Sequence, residues 1–279
     1  MTDRTGPAAS PTSPGAGAVV AAEIDAVTFA ERLAAGAPVL IPVGATEQHG
    51  PHLPLGTDAM LADAMARGAA EHVGGLVMPA FSWGYKSQQR SGGGDHLTGS
   101  TSLDAAALIG QTQDVLRSLL RQGARRIVLV NGHFENTQFL YEGIDLALRE
   151  LDAEARDASA VLLLSYWDYV SEETIGRVFP DGFGGWDVEH GGVLETSLML
   201  HLHPRLVRMD RAPSHGPAQL RRFDRLPIHP ERTPASGCLS SPIGASADSG
   251  RLLHEQVVAD LGAELLSELG DGTAGAAAG

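Results

Sequence analysis

Apolar residues fall on consecutive positions in four short stretches of the chain: Pro38 to Val43, Gly75 to Phe81, Arg126 to Asn131 and Ala160 to Tyr166. Runs of that kind suit strands covered on both faces. Between them, Thr101 to Gln122, Asn136 to Leu151 and Arg251 to Leu269 place their apolar residues three and four apart, the spacing of amphipathic helices. This alternation predicts an α/β fold with a mainly parallel central sheet. Two Gly/Pro-rich regions, Ser87 to Gly99 and Pro204 to Ala247, interrupt the pattern and read as long loops that cover or shape a site. Each predicted strand runs directly into a polar or aromatic segment: Gly44 to Asp58, Ser82 to His96, Asn131 to Asn136, and Tyr166 to Tyr169. Ligands of an open parallel sheet bind outside the carboxyl ends of its strands, so these four segments are expected to converge on one edge.

Composition narrows the function. Residues 1–17 and 271–279 are Gly, Ala, Pro and Ser-rich, and are expected to be a disordered N-terminal tail and a flexible C-terminal tail. That leaves 18–270 as one domain, a length that buries a substantial core. A formal net charge of -14 argues against a nucleic-acid partner, whose phosphates call for clustered cations. No stretch reaches the roughly 18 apolar residues of a membrane span, and no apolar segment precedes Ala18 as a signal peptide requires. The single cysteine, Cys238, forms no internal disulfide, which suits a cytoplasmic protein.

The candidate chemistry lies in the polar segments. Glu47 and His49, one residue apart in a loop, can point to the same side, and Asp58 nine positions after His49 can fold back to join them. Carboxylate plus imidazole is the ligand mix of a hydrolytic Zn or Mn site, although this segment alone reads equally well as a surface loop with Asp58 as a helix cap. The run Asn131-Gly132-His133-Phe134-Glu135-Asn136 follows a strongly apolar strand and brings His133 and Glu135 to the same edge. Two imidazoles and three carboxylates are too few for two closed cages. They suffice for two ions sharing one carboxylate, the arrangement of hydrolases whose metals lie roughly 3.5 to 4 Å apart.

A third cluster, Trp186-Asp187-Val188-Glu189-His190-Gly191-Gly192, leads into a helical run from Val193 to Leu202 and offers His190 as a proton donor. The fourth, Tyr85 to His96, contains Ser91 and three glycines. No Lys-Ser/Thr follows them, so it is no P-loop, and no GxGxxG is present. Cys238 has no partnered histidine nearby and there is no GxSxG elbow. His72, His201, His203, His215, His229 and His254 show no ligand spacing with acids, while His52 neighbours the first ligand group.

The runs Glu47-Gln48-His49-Gly50-Pro51-His52, Tyr85-Lys86-Ser87-Gln88-Gln89, Ser91-Gly92-Gly93-Gly94, Asn131-Gly132-His133, Ser165-Tyr166-Trp167-Asp168 and Trp186-Asp187-Val188-Glu189-His190-Gly191-Gly192 together resemble the creatininase (creatinine amidohydrolase) family. The first run marks the wider superfamily; the Tyr85, Ser91 and Trp186 runs resemble its creatinine-hydrolysing branch. The resemblance implies a three-layer α/β/α subunit in a homohexamer. It implies two divalent metals per subunit: manganese on Glu47, Asp58 and His133, and zinc on His49, Asp58 and Glu135, or zinc at both. It implies His190 and Glu135 as catalytic residues, and Ser91, Phe134, Trp167, Trp186, Asp187, Glu189 and His190 as substrate contacts. Phe134 stands where members of the family can carry Tyr, so a hydroxyl contact is lost there while a backbone contact survives. The implied activity is reversible hydrolysis of the cyclic amide of creatinine to creatine. The alternatives are a relative acting on another amide, such as a precursor-peptide peptidase or a deformylase-like enzyme, or a non-catalytic binding protein of the same fold.

Overall fold

The computed structural model describes residues 18–270; both expected tails lie outside the described residues. Five strands, β1 (Val19–Val20), β2 (Val39–Val43), β3 (Leu76–Val77), β4 (Arg126–Asn131) and β5 (Ala160–Ser165), form one sheet in the order β1-β3-β2-β4-β5, every neighbouring pair parallel. Among the described residues eight α-helices accompany them: α1 (Ala26–Ala34), α2 (Thr57–Val73), α3 (Ala105–Arg121), α4 (Thr137–Arg149), α5 (Ala153–Asp157), α6 (Glu172–Val178), α7 (Val193–Leu202) and α8 (Ala247–Leu269).

The strand side chains alternate between two cores. Leu40, Val128 and Val130 pack with α2, α7 and α8 on one face, whereas Val39, Ile41, Val43, Ile127 and Leu129 pack with α1, α3 and α4 on the other. This is the expected three-layer α/β/α arrangement, and it explains why β2 and β4 are apolar at consecutive positions.

Two expected elements change extent for local reasons. The predicted strand from Gly75 to Phe81 survives as Leu76–Val77 plus an isolated bridge between Phe81 and Val43, because Pro79 has no N–H to give to the ladder. The helix predicted from Thr101 begins at Ala105. Thr101 and Leu103 are instead held extended by bridges to Thr46 and Tyr85. Helix α1, which the apolar spacing did not single out, is started by Asp25, whose side chain accepts from the N–H groups of Val27 and Thr28.

The connection from β2 through α2 goes to one side of β2, and the chain then returns to place β4 on the other. The carboxyl ends of β2 and β4 therefore flank the point where the strand order reverses, the place such sheets offer to a ligand. There α2 meets both strand ends closely. A Cβ on Gly44 would lie 2.3 Å from the Ala59 nitrogen, and one on Gly132 would lie 2.6 Å from the Asp58 carbonyl oxygen. Glycine at these two positions lets the first turn of α2, with Asp58 in it, sit against both strands.

Candidate metal centre

Asn136 ties the converging segments together. Its amide donates to the Gly44 carbonyl at 3.0 Å and its side-chain oxygen accepts from the Tyr85 N–H at 2.8 Å, so the ends of β2 and β4 and the loop after β3 share one buried residue. Beside it, Asn131 accepts from the His133 N–H at 3.2 Å and donates to the His133 carbonyl at 2.8 Å, fixing the backbone that carries that imidazole.

Within this frame Glu47, His49, Asp58, His133, Glu135, Glu189, His190 and Glu195 are all buried or nearly so and line one cavity of about 280 Å³. Asp58 stands at the centre. Its Oδ1 lies 2.8 Å from His49 Nε2 and its Oδ2 lies 3.0 Å from His133 Nδ1. Glu47 Oε2 lies 3.4 Å from the same His133 nitrogen, and Glu195 Oε1 lies 3.5 Å from His49 Nε2. Two groups of potential ligand atoms result, Glu47/Asp58/His133 and His49/Asp58/Glu195, joined through Asp58. A third, Glu47/His49/His190, overlaps both.

The outer nitrogens of both imidazoles are directed at carbonyls. His133 Nε2 lies 2.9 Å from the Tyr85 carbonyl and His49 Nδ1 lies 3.2 Å from the Glu47 carbonyl. Donation of the ring proton to those carbonyls leaves His133 Nδ1 and His49 Nε2 as lone pairs facing the carboxylates, the tautomers a metal needs. Glu47 Oε2 and Asp58 Oδ2 are buried with no hydrogen-bond partner. Orphaned carboxyl oxygens next to imidazole lone pairs fit a divalent cation.

The titration of the cluster points the same way. Burial works against a charge on His133, but Glu47, Glu135 and Asp58 outweigh it and lift the imidazole to about 10. His49 is likewise raised, its burial overcome by Asp58 and Glu195. Burial also drives Glu47 well above the ordinary carboxylate range, while His49 and His133 overcome burial at Asp58 and hold it low. Without a cation these carboxylates keep protons on their neighbours; cations bound there would take the place of those protons.

The remaining predicted residues line the same cavity, although not all as expected. Glu135, anticipated as a ligand with His49 and Asp58, is in none of the three groups. Its Oε1 accepts from Ser91 Oγ at 2.5 Å and from the Gln88 N–H at 2.8 Å, and its Oε2 lies 3.4 Å from His133 Nε2, the nitrogen facing away from Asp58. The place beside His49 belongs to Glu195, which the sequence reading did not name; its Oε2 accepts from the Gly191 N–H at 2.6 Å. His190 packs against His49 with ring centroids 4.3 Å apart and planes tilted by 38°, its Nδ1 3.2 Å from Glu47 Oε1 and its Nε2 2.9 Å from the Gln48 carbonyl. Burial and His49 push it down to about 4. Glu189 accepts from the Leu194 N–H at 2.6 Å, and burial with Glu195 nearby pushes it up to about 8. Ser91, Phe134, Trp167, Trp186 and Asp187 complete the lining, with Phe134 and Trp186 largely exposed at the mouth.

An open parallel sheet with a buried carboxylate–imidazole centre at its switch point defines a class: α/β proteins built to hold paired cations against a small ligand. The chain matches the creatininase family model, described as creatinine amidohydrolase, over residues 22–265, and it belongs to that family. It is 53% identical to creatinine amidohydrolase of Pseudomonas putida over 232 residues, 82% of this chain and 89% of the relative. A mycofactocin precursor peptide peptidase of Mycobacterium ulcerans is 33% identical over 238 residues, 80% of this chain and 82% of the relative. Among solved structures, a manganese creatininase and a zinc–zinc creatininase variant each superpose with a TM-score of 0.88 at 48% identity, covering 90% of this chain and 99% and 98% of theirs. Among the described residues, no helix is long and apolar enough to cross a membrane.

Proposed function

We propose that the protein hydrolyses the cyclic amide of creatinine to creatine, reversibly, at a centre holding two divalent cations. The observation that carries this reading is the pair of buried ligand groups sharing Asp58, set in a cavity of about 280 Å³ that suits a small flat ring better than an extended peptide. Kinship to the Pseudomonas putida enzyme at 53% identity supports the substrate, against 33% for the peptidase. Glu47, Asp58 and His133 hold one cation; His49, Asp58 and Glu195 hold the other. Manganese and zinc are the ions, as in the solved creatininases. When bound, the pair supplies an activated water and polarises the ring carbonyl.

The protein's own groups do the rest. Glu135, oriented by Ser91 and Gln88, accepts the proton of the attacking water. Asp187 and Glu189 receive the N–H groups of the guanidino-like end of the ring, a planar donor that carboxylates match. Trp167, Trp186 and Phe134 flank the ring and exclude water. His190 delivers a proton to the departing ring nitrogen. An imidazole held near 4 gives up a proton readily once it has received one, and the proton released by the attacking water balances the one delivered to the nitrogen. The same reading carries a single catalytic domain over 18–270 and a cytoplasmic homohexamer, for which exposed Leu55, Trp83 and Tyr141 offer apolar contact surface.

Steady-state creatinine hydrolysis by protein reconstituted with zinc and manganese tests the proposal, with His190→Ala as control. Creatine formation that collapses in the control supports it. Two bound metals with no turnover of creatinine, and cleavage of a precursor peptide instead, would move the assignment to the peptidase branch.

A further inference from the structure

Away from the metal centre, a second cavity of about 340 Å³ opens between Gln89-Arg90 and two stretches of the long loop, 218–225 and 231–234. Its charged lining is Arg90, Arg221, Arg225 and Arg232 against Asp224 and Glu231. Four guanidinium groups around one cleft are unexpected in a chain with 34 acidic and 20 basic residues. Arg90 reaches Asp224 at 3.6 Å, but Arg221, Arg225 and Arg232 make no ion pair among the described residues. Some surface arginines elsewhere are paired within the chain, Arg67 with Asp63, Arg117 with Glu150 and Arg251 with Glu255, while others such as Arg177 and Arg205 form no ion pair among the described residues; what sets the cleft apart is the gathering of four. Arg232 instead lies 5.9 Å from the centre of the Phe223 ring, a contact that orients a guanidinium without cancelling its charge.

The walls of this cleft are braced to each other. Gln89 donates to the His229 carbonyl at 2.7 Å and to Thr233 Oγ1 at 3.0 Å, and accepts from the His229 N–H at 3.2 Å. Buried Thr233 in turn donates to the Gly93 carbonyl at 2.6 Å. The cavity is thus framed by hydrogen bonds between two loops, one of which carries Ser91, the donor to Glu135. Arg90 lines both this cleft and the metal-site cavity.

We infer that the cleft is a binding site for a small polyanion bearing phosphate or carboxylate oxygens, held by Arg221, Arg225 and Arg232, with Arg90 passing from Asp224 to the ligand. Four guanidinium groups facing two carboxylates leave the cleft with an excess of positive charge, and an oxyanion that takes their paired N–H groups offsets it with directional bonds. Ligand bound here acts on the loop holding Ser91, so its occupancy is felt at Glu135. The inference does not depend on which substrate the metal centre takes.

Isothermal titration of the metal-loaded protein at fixed ionic strength tests it, with inorganic phosphate and citrate as separate probes and an Arg221→Gln/Arg225→Gln variant alongside. Both substituted residues are exposed and belong to no catalytic contact, so metal content and melting temperature stay at wild-type values. Saturable binding is expected in the wild type, weakened at least about tenfold in the variant, the order expected for losing hydrogen bonds from charged donors. Phosphate alone identifies a phosphoryl ligand, citrate alone a polycarboxylate, and both the shared oxyanion chemistry. Absence of saturable binding of either probe to the wild type overturns the inference. So does binding that the double substitution, or Arg225→Gln alone should the double variant melt early, leaves undiminished, since the anion then sits elsewhere.

Discussion

Substituting Glu195 by Gln separates the two carboxylates that compete for the place beside His49. Glu195 is 9% exposed, with one oxygen 3.5 Å from His49 Nε2 and the other bonded to the Gly191 N–H at 2.6 Å. The amide keeps the shape and removes the charge. A unit charge about 4 Å away is worth roughly 4 kcal/mol at an effective dielectric near 20. Burying an amide costs less than burying a carboxylate, so about half of that loss, ~2 kcal/mol, reaches the affinity. That is roughly a thirtyfold weaker site at about 1.4 kcal/mol per decade. Elemental analysis after dialysis against a weak chelator then finds about two metals per subunit in the wild type and about one in Glu195→Gln, counts set by the two ligand groups. Glu135→Gln keeps both metals and loses turnover, because Glu135 is bonded to Ser91 and Gln88 rather than placed in either group. The reverse pattern, one metal in Glu135→Gln and two in Glu195→Gln, would refute the assignment and restore Glu135 as the ligand.

Three further outcomes follow from the same geometry. Gly132→Ala forces a methyl to within 2.6 Å of the Asp58 carbonyl oxygen, so it pushes α2 off β4; thermal denaturation should show a loss of about 1 to 3 kcal/mol together with reduced metal retention. His52, buried and bonded to Thr196 Oγ1 at 2.8 Å, is pushed by burial and by His49 from 6.5 to about 4. The unfolded chain therefore takes up this proton first as pH falls, and stability present above pH 6.5 declines between 6.5 and about 4. Denaturant titrations at several pH values should show a shallower acid decline in His52→Gln, and an equal decline would remove His52 from the account. Cys238 is buried and its thiol is pushed up to about 12, so a thiol-specific reagent at neutral pH should label the protein only after denaturant is added.

How far the sequence could be read depended on whether a residue's role is set by periodicity or by local backbone state. The strand Arg126–Asn131 and the helix Val193–Leu202 were legible to the residue, since both faces of the strand are covered and the helix follows a Gly-Gly break. The gathering of Glu47, His49, Asp58 and His133 was legible too, because each follows or faces a strand end. The geometry sets Glu195 rather than Glu135 beside His49, and the reason lies in three backbone positions. The pair His133-x-Glu135 has the spacing of Glu47-x-His49, and in extended chain such a pair shares a side. His133 is extended (φ -137, ψ 119), but the chain turns into a 3-10 helix at Phe134–Asn136, so the shared side is lost and the Glu135 carboxylate swings to Ser91. Glu195, meanwhile, sits in the first turn of α7 among Val193, Leu194, Leu198 and Met199, a stretch that reads as core. A solitary acid in an apolar helix must be paired where it is buried. Its partners are the N–H of Gly191, four residues before it, at one carboxylate oxygen and the ring of His49 at the other. The signal was therefore the cost of burying Glu195, and the motif spacing around His133 drew the assignment away from it.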